Sequence, residues 1–134
     1  NPNALLLANN CFDAVSKIGY PECRIILSQT AVYLATSAKS NSTYMAINKA
    51  IELVEQTGDK PVPIHLRNAP TKLMKQIGYG ADYRYSHDYA NHFVQQQFMP
   101  DDLQGVSLYE PADNRQENST RELIRKLWSG IYNY

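Results

Sequence analysis

PVPIHLRNAPTKLMKQIGYGADYRYSHDYANHFVQQQFMPDDLQGVSLYEP, residues 61–111, is the stretch on which the reading of this chain turns. It holds too many Gly, Pro and Tyr for one helix or strand, and too many apolar residues for a disordered linker. Connections of this length inside a domain are uncommon, and they bind something or carry structure of their own. Pro61 and Pro63 keep the entry extended, because proline lacks an amide donor and biases the preceding residue away from α. Pro70 suits the first position of a short helix over 71–77, with Asn68 or Ala69 before it and Gly78 after it. Leu73, Met74 and Ile77 then form the inner face, with Lys72, Lys75 and Gln76 outward. From Tyr79 to Phe98 the rings follow no period, so short turns packed onto a neighbour are expected. Residues 101–105 read as a turn or a single helical turn, and 106–109 as a short strand suited to one arm of a β-hairpin.

Upstream, the periodicity is helical. Leu5, Ala8, Phe12, Val15 and Ile18 share one face, with Pro2 in the first turn and Gly19 as the stop. A second helix carries Ile25 or Ile26, Leu27, Ala31, Leu34 and Ala38, apolar around much of its circumference, as expected of a helix lying between neighbours. Lys39-Ser40-Asn41-Ser42 offers N-caps for a third helix, where Tyr44, Ile47, Ile51 and Val54 make a stripe that Gly58 ends. Short links predict antiparallel packing. The expected fold is all-α: one domain over 1–134, with a three-helix core at 2–58 covered by 61–111. Downstream, 113–120 is polar and reads as loose. Ser119 and Glu122 have capping-box spacing, and Leu123, Ile124, Leu127, Trp128 and Ile131 continue a final helix placed at about 114–131.

The chain has 134 residues, with 13 basic and 13 acidic side chains. That length suits one domain, and the balance forecasts neither nucleic acid nor membrane, so a charged partner must meet a local patch. No apolar run approaches the roughly 18 residues of a membrane span. The start lacks the basic region of a signal peptide, and an opening without Met suits an excised domain. Cys11 and Cys23 sit in apolar helical patterns and are expected reduced and buried in a cytoplasmic protein.

Three kinds of chemistry are open to test. His65, His87-Asp88 and His92, with Asp101 or Asp102, have the residue types of an HD-type metal phosphohydrolase, whose imidazoles and carboxylates would activate water on a divalent ion. Residues 83–89 offer no helical face for such ligands, and turn residues satisfying loop backbone are the plainer reading. There is no Gly-Lys-Ser/Thr phosphate loop and no Gly-x-Ser-x-Gly elbow, so no catalytic residue, metal or cofactor is assigned. Arg67, Lys72, Lys75 and Arg84, interleaved with Tyr79, Tyr83 and Tyr85, have the cations and rings that bind single-stranded nucleic acid. The alternative makes the lysines a solvated helix face and the tyrosines packing residues.

Certain runs are family-like: Lys39-Ser40-Asn41, Tyr44, Ala46-Ile47, Val62-Pro63, His65-Leu66-Arg67-Asn68-Ala69-Pro70-Thr71 and Lys72-Leu73-Met74. So are Gly78-Tyr79-Gly80, Tyr85, His87-Asp88-Tyr89, Phe93, Gln96-Gln97, Met99-Pro100 and Tyr109-Glu110-Pro111. Over these residues the chain resembles the C-terminal region of the RarA/MgsA family of replication-associated recombination proteins, to which the Werner-helicase-interacting protein is related. The resemblance implies a parent AAA+ ATPase, akin to clamp loaders, that acts at stalled forks in the cytoplasm (on the nucleoid in a bacterium). Its partners would be fork or single-strand-junction DNA and single-strand-binding protein. ATP and Mg would belong to an N-terminal ATPase domain outside this chain. The region matched here would be a non-catalytic tetramerisation domain, similar to a clamp-loader collar. Tyr79, Tyr83, Tyr85, Tyr89, Phe93 and Phe98 are then candidates for subunit contact or for packing, since interfaces favour aromatic anchors.

Overall fold

Apolar periodicity and proline–glycine punctuation produce five α-helices and four single 3₁₀ turns, with no strand, in the computed structural model, which describes residues 1–134. The helices are α1 (Pro2–Ile18), α2 (Cys23–Thr36), α3 (Ser42–Thr57), α4 (Lys72–Gln76) and α5 (Arg115–Leu127). The all-α expectation is therefore met. The chain divides between Ser40 and Asn41 into two units. That boundary falls inside the three helices grouped at 2–58, so α1 and α2 are one unit and α3 opens the other.

In the first unit, Asn1 caps α1 by accepting from the Asn3 amide at 3.1 Å, and Pro2 occupies the first turn. Gly19, at φ 75°, ends it, a left-handed conformation that favours glycine. The side of α1 that is covered runs Ala4, Leu7, Ala8, Cys11, Ala14 and Val15. On α2 it runs Cys23, Ile26, Thr30, Tyr33 and Leu34. This corrects the expected stripes: Leu5, Phe12 and Ile18 face away from the seam, with Phe12 77% exposed, and Ile25 on α2 is 65% exposed. Small side chains let two helix backbones approach along one line, and a two-helix unit has only one such line to fill. Both thiols are buried and unbridged, and the Thr30 hydroxyl is bonded to the Ile26 carbonyl at 3.0 Å.

The second unit repeats this choice of face. On α3 the covered side is Ser42, Ala46, Lys49, Ala50, Leu53 and Thr57, whereas Tyr44, Ile47, Ile51 and Val54 are exposed. Residues 99–112 lie on the covered side. Ser42 Oγ accepts from the Ala112 amide at 3.1 Å, Lys49 pairs with Glu110 at 2.6 Å, and Lys60 pairs with Asp102. Each lysine holds its carboxylate partner below the ordinary carboxylate range, chiefly through the hydrogen bond it donates. Asn41 stands at the N-cap of α3 without a side-chain cap bond, and Gly58 at φ 69° ends the helix as expected.

The short helix begins later than its proline suggests. Thr71 is the N-cap of α4, accepting from the Met74 amide at 3.2 Å, so Pro70 precedes the cap instead of opening the helix. Of the expected inner face only Met74 is partly covered; Leu73 and Ile77 are exposed.

The last helix starts at Arg115, next to the expected 114, and ends at Leu127 rather than near 131. Its capping box is Asn114 with Glu117, not Ser119 with Glu122: Glu117 N donates to Asn114 Oδ1 at 3.0 Å, and Asn114 Nδ2 to Glu117 Oε1 at 3.0 Å. The polar stretch 113–120 is thus mostly helix, and the Ser119 hydroxyl turns back to the Arg115 carbonyl. Glu117 Oε2 also accepts from the Ala112 amide at 2.8 Å and the Tyr109 hydroxyl at 3.1 Å. Those bonds explain the missing strand. Residues 106–109 find no neighbouring strand and are fixed by Glu117 and by the Ser107 hydroxyl on the Tyr109 carbonyl.

Burial, and then the hydrogen bond to Glu117, raise the Tyr109 phenol above its ordinary value. A group whose folded value is raised adds stability below its unfolded value and loses it as pH rises through the folded one. Thermal unfolding followed from about pH 8 to 11 is expected to show a steeper alkaline fall than in Tyr109→Phe. Parallel curves for the two proteins would refute the assignment.

Candidate functional site

The segment 61–98 is built around polar side chains that stand in for regular backbone pairing. Arg67 Nε donates to the Val62 carbonyl at 2.6 Å and its Nη1 to the Tyr79 hydroxyl at 3.2 Å; its guanidinium lies 5.1 Å from the Tyr79 ring centroid. The Gly80 amide meets the Ile64 carbonyl at 3.0 Å, and a Cβ there would come within 3.3 Å of the Arg67 carbonyl. With φ at 69°, that position suits glycine alone. His65 Nε2 bonds the Gln97 carbonyl at 2.7 Å.

Arg84 is held at three points. Gln96, buried at 7% exposure, accepts from the Arg84 amide at 3.3 Å and donates to its carbonyl at 3.1 Å. The Arg84 guanidinium donates to the Gln95 carbonyl. A side-chain amide here completes both hydrogen bonds that a strand partner would have made. Gln95 in turn donates to the Leu127 carbonyl at 2.7 Å, satisfying one of the free carbonyls at the end of α5. Beside it, Trp128 makes edge-to-face contacts with Phe93, centroids 5.2 Å apart, and with Phe98, at 6.1 Å.

The four cations grouped by sequence are thus of two kinds. Arg67 and Arg84 brace the segment. Lys72 and Lys75 stand exposed on α4 with no ion pair. The six aromatics divide likewise: Tyr79 lies under Arg67 and Phe93 against Trp128, whereas Tyr83, Tyr85, Tyr89 and Phe98 are exposed. The supposed metal ligands do not converge. His65 is committed to Gln97 and Asp102 to Lys60. The rings of His87 and His92 lie 5.0 Å apart, without a third donor, and no group of three His, Cys, Asp or Glu is assembled.

Two recesses flank His65. One, of about 530 Å³, is lined by His65, Gly78, Asp82, Arg84, Gln96 and Gln97 among others. The other, of about 420 Å³, includes Arg67, Asn68, Tyr83 and Phe98. Sequence reasoning named Gln96-Gln97 only among the family-like residues, with no role, and did not single out Asp82. The run Gln95-Gln96-Gln97 between Val94 and Phe98 was the available signal, because amides flanked by apolar residues must find partners when they are covered.

Truncating a brace and reversing a free cation should differ. Arg67→Ala is expected to lower stability by about 1–2 kcal/mol, from the lost hydrogen bonds and ring contact. Lys72→Glu with Lys75→Glu should stay within about 0.5 kcal/mol of the parent. Urea unfolding of both variants checks this, and equal losses would contradict the division.

A protein-family model described as MgsA AAA+ ATPase C terminal matches residues 1–128. Replication-associated recombination protein A of Coxiella burnetii is 41% identical over 131 residues, covering 95% of this chain and 30% of that protein. The protein of the same name from Escherichia coli is 37% identical over 128 residues, covering 95% and 29%. ATPase WRNIP1 of Dictyostelium discoideum is 45% identical over 109 residues, covering 81% and 12%. The chain therefore spans about three-tenths of the length of these bacterial relatives.

Proposed function

This chain belongs to the MgsA AAA+ ATPase C-terminal family, and on that premise we propose that it is a non-catalytic module joining copies of a replication-fork ATPase into a tetramer. The observation that carries the proposal is the outward direction of the large apolar stripes. Leu5, Phe12, Ile25 and Val32 in the first unit, and Tyr44, Ile47 and Ile51 in the second, are exposed although the covered sides hold other apolar residues such as Leu7, Ile26, Leu34 and Leu53. Soluble chains rarely leave such stripes open, and open ones mark association surfaces. Exposed Tyr83, Tyr85, Tyr89 and Phe98 add anchors of the kind interfaces favour. In this reading ATP and Mg act in an N-terminal ATPase domain of the parent. Fork DNA and single-strand-binding protein are partners of the whole protein, and this module has the role of a clamp-loader collar.

Sedimentation of the 134-residue chain at about 10–50 µM is expected to give a tetramer, each contact burying more than about 1,000 Å². Phe12→Glu with Ile25→Glu should shift it toward monomer with helical circular dichroism unchanged. A parent chain that is monomeric throughout this range would count decisively against the proposal.

A second reading is favoured by the two free lysines beside exposed rings: a single-stranded nucleic-acid contact on the second unit. It predicts binding of a labelled single strand that weakens steeply as salt rises, since displaced counterions drive it. Lys72→Glu with Lys75→Glu should reduce affinity at least about tenfold at low salt. Unchanged affinity in that variant would remove the reading.

A further inference from the structure

We propose that the recess of about 530 Å³ beside His65 receives a nucleobase from a single strand, with Asp82 and Gln97 reading its edge. This rests on the nucleic-acid reading of α4 and goes beyond it by naming a base-binding site.

The first support is an unmet donor. Gln97 Nε2 is buried and has no hydrogen-bond partner in the protein, although buried polar groups are almost always paired. Gln97 lines the recess. The second is a free acceptor. Asp82 lines the same recess, and its carboxylate takes part in no ion pair. Asp82 is also held at φ 63°, in the left-handed region that few residues other than glycine, Asn and Asp visit. A free acceptor and an unmet donor on two lining residues match a nucleobase, since each base carries both on its pairing edge.

The walls are preorganised. Gln96 clamps the backbone of Arg84, His65 fixes the Gln97 carbonyl, and the Gly80 amide ties its turn to Ile64. The volume lies within the range of small-ligand sites and far exceeds the space of one water molecule.

The surroundings select a base on a strand over an isolated small molecule. Gly78, a lining residue, donates to the Lys75 carbonyl at 3.1 Å, so the recess adjoins the end of the helix that bears both free lysines. On the other side of His65, the second recess brings Arg67 together with Tyr83, 48% exposed, and Phe98, 47% exposed. Cations for phosphates, rings for stacking and an edge-reading pocket together fit a flexible polyanion of flat heterocycles.

The test compares two labelled strands of equal length, one of thymidines and one wholly abasic, by fluorescence anisotropy at low salt with the 134-residue chain. The thymidine strand is expected to bind about tenfold more tightly. Asp82→Gly suits the positive φ and removes only the carboxylate, so the fold is kept. It should weaken the thymidine strand severalfold and leave the abasic strand unchanged or slightly tighter, because a negative charge is gone. Gln97→Met, which removes the unmet donor without adding charge, should also weaken the thymidine strand alone. Equal affinity for the two strands, with Lys72→Glu and Lys75→Glu weakening both, would overturn the base pocket and leave the lysine contact standing. Failure of both strands to bind would overturn both.

Discussion

A segment of some fifty residues without sheet, and with one short helix, must satisfy its buried backbone groups by side chains. This constraint organises the second unit. Gln96 takes both backbone groups of Arg84, His65 takes the Gln97 carbonyl, and Gln95 takes the end of α5. Glu117 gathers the Ala112 amide, the Tyr109 hydroxyl and the Asn114 side chain. Each of these bonds joins two stretches that no ladder joins. They also explain why 61–111 is not a linker: Arg67, Arg84, Gln95 and Gln96 hold its backbone and the end of α5.

The same constraint sorts the charged and aromatic residues. Arginine, with a fork of donors and a flat cation, can bond a carbonyl and lie on a ring at once, and Arg67 does both with Val62 and Tyr79. Lysine has no such fork, and Lys72 and Lys75 remain in solvent. What is left for a partner is two lysines, the exposed surface of Tyr83, Tyr85, Tyr89 and Phe98, and one unmet amide donor. The lysine–carboxylate pairs Lys49–Glu110 and Lys60–Asp102 belong to the internal work, tying 99–112 to the covered side of α3.

Large apolar stripes on α1 and α3 point away from the seams within each unit, and mixed faces of Ala, Cys, Ser and Thr with a few larger residues such as Leu7 and Leu53 point into them. Periodicity reports that a helix has an apolar face. It does not report which of two adjacent faces an intramolecular neighbour covers, because Ala, Cys and Thr are weak signals beside Leu, Phe and Ile. The stripe left over is the surface that the proposed association of subunits would use, and the chain belongs to the MgsA AAA+ ATPase C-terminal family.

The helical class, the helix stops at Gly19 and Gly58, the turns over 79–98 and the family were all legible in the sequence. Local rules decide them: left-handed glycines, prolines without donors, and runs of residues particular to one family. The face that each helix covers was not legible, nor was the shift of the last capping box from Ser119 to Asn114. The absence of a strand at 106–109 and the split of four cations into two braces and two free lysines were hidden as well. These depend on which residues meet across long separations. Glu117 caps a helix and also holds Tyr109 and Ala112, and Gln96 reaches Arg84. Propensity is a property of neighbours in sequence, whereas a hydrogen-bond partner is chosen by neighbours in space, and only the folded chain supplies those.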